Sequence, residues 1–143
     1  MPYQFLEDIA TADVAFKAWG KTREEMFAAA AEATMNVMVE DLSTISPQEK
    51  RTLSVEAENL EMLLFQFLQE LIYYKDAERL LLCVSQVTFK KHDTHWHLIA
   101  EARGEVLDPL KHPLNVDVKA VTMHLFRVHR IPQGWEATVV LDI

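Results

Sequence analysis

Residues 59–103 read NLEMLLFQFLQELIYYKDAERLLLCVSQVTFKKHDTHWHLIAEAR, and they decide the fold class by setting a helical pattern beside a strand pattern. Asn59 can cap a first turn, and Leu60, Leu63, Leu64, Phe67, Leu68, Leu71 and Ile72 then recur with a period near 3.6. Glu61, Gln66 and Gln69 fall largely outside that stripe, so the spacing predicts a helix running to about Lys75. Leu80 to Lys90 and His95 to Arg103 are β-rich and meet near His92-Asp93-Thr94, which predicts a hairpin. A hairpin is antiparallel, and with a helix directly before it the expected class is α+β.

Working toward the N-terminus, Leu53, Val55 and Ala57 alternate with Ser54, Glu56 and Glu58, as a half-buried strand requires. Thr22-Arg23-Glu24-Glu25 is a capping box, and Phe27, Ala30, Ala31, Thr34, Val37 and Met38 follow at helical spacing. That places another helix at about Thr22 to Met38. The opening segment, Tyr3 to Trp19, reads as strand, with Val14, Phe16 and Ala18 facing one way, and Gly20 ends it. Toward the C-terminus, Val116 to Arg130 and Trp135 to Leu141 read as further β runs that meet across Pro132-Gln133-Gly134. The expectation is one domain, residues 1–143, of largely antiparallel β sheets with two main helices packed on one face.

Composition narrows the function. With 143 residues, 14 Lys plus Arg, 22 Asp plus Glu and a formal charge of -8, the chain is long enough to bury a core without a disulfide or structural metal. Eight excess negative charges oppose binding to phosphate backbones, so strong, unaided RNA or DNA binding is disfavoured. No stretch approaches the roughly 20 apolar residues of a membrane span. One cysteine allows no internal disulfide and, with no secretory signal pattern, a reducing, cytoplasmic setting is expected.

Phosphate-binding glycine loops, a serine elbow and paired cysteines are absent from the sequence. Cys83, inside Leu80-Leu81-Leu82-Cys83-Val84, reads as a buried structural thiol rather than a nucleophile. His95-Trp96-His97 sets two imidazoles on one strand face, beside His92, and a solvated face is the simpler account than a metal pair. His112 reads as a loop residue and His129 as a satisfied structural histidine. Carboxylates are sharper. Asp13 stands among small neighbours at a strand start, and the closing strand delivers the Asp142 side chain and the Ile143 α-carboxylate together. If the first strand pairs near the last, three oxygen donors meet, a set that suits calcium, magnesium or manganese.

Several motifs together resemble one family, the archeases: Phe5-Leu6-Glu7 with Thr11-Ala12-Asp13-Val14; Gly20-Lys21-Thr22 with Glu25; Asn59-Leu60-Glu61; Ala102-Arg103-Gly104-Glu105; Asp108-Pro109; His112; Val118-Lys119-Ala120-Val121-Thr122 with His124; and Leu141-Asp142-Ile143. The resemblance spans nearly the whole chain. It implies an α+β protein that is not itself catalytic and that activates an RtcB-type RNA ligase in tRNA splicing and RNA repair, promoting ligase guanylylation and repeated turnover. GTP and manganese would belong to that ligase. The implied metal pocket comprises Asp13, Asp142 and the C-terminal Ile143, with Lys119 in the same functional patch and His124 beside it. An alternative is a chaperone or specificity modulator of an RNA-modifying enzyme such as a tRNA methyltransferase. Against the family pattern, Ala10 stands for a histidine, Ala15 for a glycine and Met123 for a tyrosine, and Asp8-Ile9 are extra.

Overall fold

The computed structural model describes residues 2–7 and 13–143. Over these the chain runs β1 (Tyr3–Leu6), β2 (Asp13–Gly20), α1 (Arg23–Met38), a short 3-10 turn (Leu42–Thr44), β3 (Glu49–Ala57), α2 (Leu60–Glu78), β4 (Leu80–His92), β5 (His95–Val106), β6 (Ala120–Val121), β7 (Arg127–Ile131) and β8 (Gly134–Asp142). The α+β expectation holds, with antiparallel pairing at every described ladder.

The strands form two sheets. One is ordered β1-β2-β8-β6, with β7 also paired to β8, and the other is β3-β5-β4. Both helices touch strands of both sheets, α1 through β2, β8 and β4, and α2 through β3, β4, β5, β6 and β7. A helix with a sheet on each side must be apolar nearly all round. That is why α1 buries Met26, Ala29, Ala33 and Met35 in addition to the stripe read from its periodicity. Phe16, Phe27, Phe67, Leu53, Leu63 and Leu81 are among the largest side chains sealed in the shared core.

Local chemistry sets the boundaries. The Thr22 side chain accepts from the Glu25 N–H at 3.1 Å, and the Glu25 carboxylate in turn accepts from the Lys21 N–H at 2.8 Å. Those contacts satisfy two amides at the start of α1. Asn59 caps α2 by accepting from the Met62 N–H at 2.8 Å. This helix runs three residues past Lys75 to Glu78 and stops where Arg79 takes a left-handed conformation, φ 54°. The hairpin is as expected, with His92 opposite His95 across Asp93-Thr94.

Two expectations need correction. The opening segment is two antiparallel strands rather than one, with Phe5 opposite Phe16, so the chain reverses between Leu6 and Asp13. Of the motif residues, Thr11 and Ala12 lie outside the described residues, as does Ala10. The second concerns the long β run. Only Ala120–Val121 and Arg127–Ile131 are strand within it. The remainder spends its hydrogen bonds elsewhere. The Asn115 and Val116 N–H groups donate to the Met38 and Val37 carbonyls at the end of α1, and the Val118 carbonyl accepts from Lys75. Leu125 then turns the chain at φ 55°.

Candidate functional site

Strand pairing brings the sequence-predicted acids together. In the β2–β8 ladder Asp13 lies directly opposite Asp142, and Ala120 of β6 flanks Asp142 on its other side. Directly opposed residues project to the same face, with Cβ atoms roughly 4.5–5.5 Å apart. Ala137, Val139 and Leu141 of β8 are fully buried on one face, and Asp142 projects from the other, where its neighbour Val140 is also buried. Asp13, Asp142 and Ile143 are each half-buried, and the Ile143 side chain packs against the core, which fixes the end of the strand.

Lys119 reaches the same corner through its backbone. Its N–H donates to the Asp142 carbonyl at 2.8 Å, and its side chain is exposed. It forms no ion pair within 4 Å among the described residues, and neither do Asp13 and Asp142. Two carboxylates opposed across strands repel one another unless a positive charge joins them. The segment bearing Lys119 is held by Lys75, a buried ammonium from α2 that bonds Asp117, Asp76 and the Val118 carbonyl. Burial pulls the Lys75 ammonium toward losing its proton, and the hydrogen bonds it donates to Asp117 and Asp76 more than reverse this, leaving its pKa raised.

His124 sits farther along, in the exposed turn that follows. Its N–H donates to the Thr122 hydroxyl at 3.3 Å, while Thr122 is pinned to the Val140 carbonyl by both its N–H and its hydroxyl, each at 3.0 Å. The turn therefore lies beside the corner, flanked by the exposed side chains of Met123 and Leu125. Among the described residues no three His, Cys, Asp or Glu side chains group as metal ligands.

The other candidates resolve physically. Cys83 is half-buried, and burial first, then the nearby Glu32 carboxylate, raise its pKa, which disfavours a thiolate. His95 and His97 lie on the partly exposed face of β5, 3.8 and 3.9 Å from Glu56, and His97 also bonds the Ser54 hydroxyl at 2.7 Å. His129 is only partly satisfied, with Nε2 3.5 Å from Glu136 and Nδ1 buried without a partner.

Sequence reasoning missed the role of His112. It is a loop residue but fully buried; its Nδ1 accepts from the Asp108 N–H at 2.9 Å, and its Nε2 lies 2.7 Å from Glu105. Nδ1 as acceptor leaves Nε2 to carry the proton and donate it. Glu105 also receives Lys111 and the Ser46 N–H. Bonding to Lys111 first, then to Ser46 and His112, lowers its pKa to about 2. These residues lock the 105–112 connection and lie outside the β2–β8 corner.

A cavity of about 870 Å³ lies at the opposite end of β2 from Asp13, with Trp19, Gly20, Lys21, Ile131 and Gln133 among its lining. No residue of the acidic corner lines it.

Two sheets around a helical layer, with β2 and the last strand meeting at an acidic corner, define a small α+β protein. The sequence pattern of the Archease protein family matches residues 3–143, and the chain belongs to that family. It is 41% identical over 134 residues to the protein archease of Thermococcus gammatolerans, covering 93% of this chain and 94% of the relative. With the Methanopyrus kandleri protein archease it shares 34% over 143 residues, the full length of both. The solution structure of Methanobacterium thermoautotrophicum protein 1598 superposes with a TM-score of 0.86 at 31% identity, covering 99% of each chain. The Thermotoga maritima crystal structure, described as an archease and possible chaperone, gives 0.61 at 20% identity over 98% of each chain and speaks for the fold alone.

Proposed function

We propose that this chain is a non-catalytic activator of an RtcB-type RNA ligase, promoting guanylylation and repeated turnover in tRNA splicing and RNA repair in the cytoplasm. One observation carries the reading: Asp13 stands directly opposite Asp142 at a half-buried corner, with no cationic side chain of the described residues within ion-pair distance of either. A structural role does not account for that arrangement, because opposed carboxylates weaken a ladder. Asp13, Asp142 and the Ile143 carboxylate would hold a calcium, magnesium or manganese ion, and oxygen-only donors fit such hard cations. Bound there, the ion supplies the positive charge that offsets their repulsion.

The chain's own residues do the rest. The core packing of Ile143 and the bonds from Thr122 and Lys119 to β8 hold the carboxylates still, so little ordering remains for the moment of docking. Lys119 and His124 present donors beside them for the partner's surface. GTP and manganese stay with the ligase, and so does the covalent chemistry.

The chaperone alternative asks for an exposed apolar face on α2, but Leu63, Leu64, Phe67, Leu68, Leu71 and Ile72 are buried there, so the corner is the better-supported functional surface. A multiple-turnover ligation assay with the cognate ligase tests the proposal. Adding this protein should convert a reaction that stalls near one turnover into one that continues. A ligase that turns over equally well without it would remove the proposal's basis.

A further inference from the structure

The chain bears 14 cationic side chains against 22 acids, and Lys17, Lys50, Arg51, Lys75 and Lys111 each have a carboxylate partner. Arg23, Lys91 and Arg130 have none within 4 Å among the described residues; they gather instead on two indole rings. The Arg23 guanidinium, in the first turn of α1, lies 4.6 Å from the Trp96 ring centre and 5.7 Å from that of Trp135. Lys91 is 5.0 Å from Trp96, its cross-strand partner, and Arg130 is 5.4 Å from Trp135, its partner in the β7–β8 ladder. Significant cation–π contacts occur roughly once per 70–80 residues, so a chain of this length should hold about two, scattered. Here four converge on one patch.

Placement adds to the anomaly. Trp135 and Asp142 are near opposite ends of β8, so the patch is separated from the acidic corner by seven residue steps, about 24 Å at the usual strand rise. Lys91 and Arg130 are exposed, and Trp96 and Trp135 are half-buried. Cations without carboxylate partners beside partly exposed aromatic residues are the combination that grips single strands, with phosphates on the cations and bases on the rings.

We propose that Arg23, Lys91, Arg130, Trp96 and Trp135 form a binding patch for single-stranded RNA. The formal charge of -8 averages over the whole chain: Asp13 and Asp142 meet at one end of β8, while Arg23 and Arg130 gather on Trp135 at the other. Binding is local and weak, because the rest of the surface repels the strand. The patch stands apart from the ligase reading and is tested without a ligase.

The test is fluorescence anisotropy of a labelled 12-nucleotide oligouridylate, with indole quenching read in parallel. Three phosphate contacts give a log–log salt slope of about -2, so affinity should fall about 20-fold from 50 to 200 mM salt. Lys91→Glu with Arg130→Glu, at exposed positions, should weaken binding at least about 10-fold while circular dichroism stays unchanged. Inorganic polyphosphate, which has charge but no bases, should compete poorly and leave the indole emission unquenched. The proposal is overturned if the double variant binds oligouridylate as tightly as the parent chain, if no binding is seen up to about 1 mM protein in 50 mM salt, or if polyphosphate binds equally well.

Discussion

The most informative single residue is Asp142, because its position opposite Asp13 sets stability and function against each other. Like charges directly opposed cost a ladder roughly 0.2–1 kcal/mol. Asp142→Asn should therefore leave the metal-free protein as stable as the parent or up to about 1 kcal/mol more so, and added calcium, which the proposal expects to stabilise the parent, should not stabilise the variant. Urea melts with and without calcium check both halves; a variant destabilised in metal-free buffer would show that the pair is structural. Glu105 makes a second prediction at this scale. Its pKa in the fold is about 2 against an ordinary 4.5, so its bonds to Lys111, Ser46 and His112 stabilise the fold above pH 4.5, and that contribution is lost as pH falls toward 2. Urea midpoints taken from pH 5 to pH 2 should fall steeply for the parent and less steeply for Glu105→Gln. An unchanged slope would show that the carboxylate is not titrating in that window.

At the scale of elements, much was legible. The 3.6-residue stripe of α2, the capping box of α1 and the turn at Asp93-Thr94 are local signals, and the structure honours each. What escaped was fixed by distant partners. Residues 116–126 carry β-prone side chains, yet they are tied to the end of α1, to Lys75 and, at the Val121 N–H, to the Gln69 side chain. No local pattern announces such partners. The acidic corner was half legible: strand patterns suggested that Asp13 and Asp142 meet, but their register depends on a ladder between distant segments. The Arg23–Trp96–Trp135 cluster joins three distant segments and gave no sequence signal. The Lys75 tether leads to a prediction at this scale. Lys75→Met leaves the Val118 carbonyl without its partner, which should cost about 1–3 kcal/mol. It should also weaken ligase stimulation by loosening the segment that bears Lys119. Thermal melts and stimulation measured on the same preparation test the link, and stimulation undiminished in a destabilised variant would break it. In β5, Gly104→Ala would push a Cβ to 1.6 Å from the Leu81 carbonyl oxygen, so a loss of at least about 2 kcal/mol is expected in a urea titration.

Across the whole molecule, the helix layer and two sheets serve to hold the ends of β8 apart and still. One end is joined by β2 and β6 into the acidic corner, and the other carries Trp135 and its cations. The guanylylation rate of the cognate ligase tests the proposed activation most directly, measured with the parent protein, with Asp13→Asn, with Asp142→Asn and with a chain extended by a few residues beyond Ile143. The account predicts stimulation by the parent and near-complete loss in all three altered proteins, each still folded by circular dichroism. Full stimulation by either folded aspartate variant would contradict it.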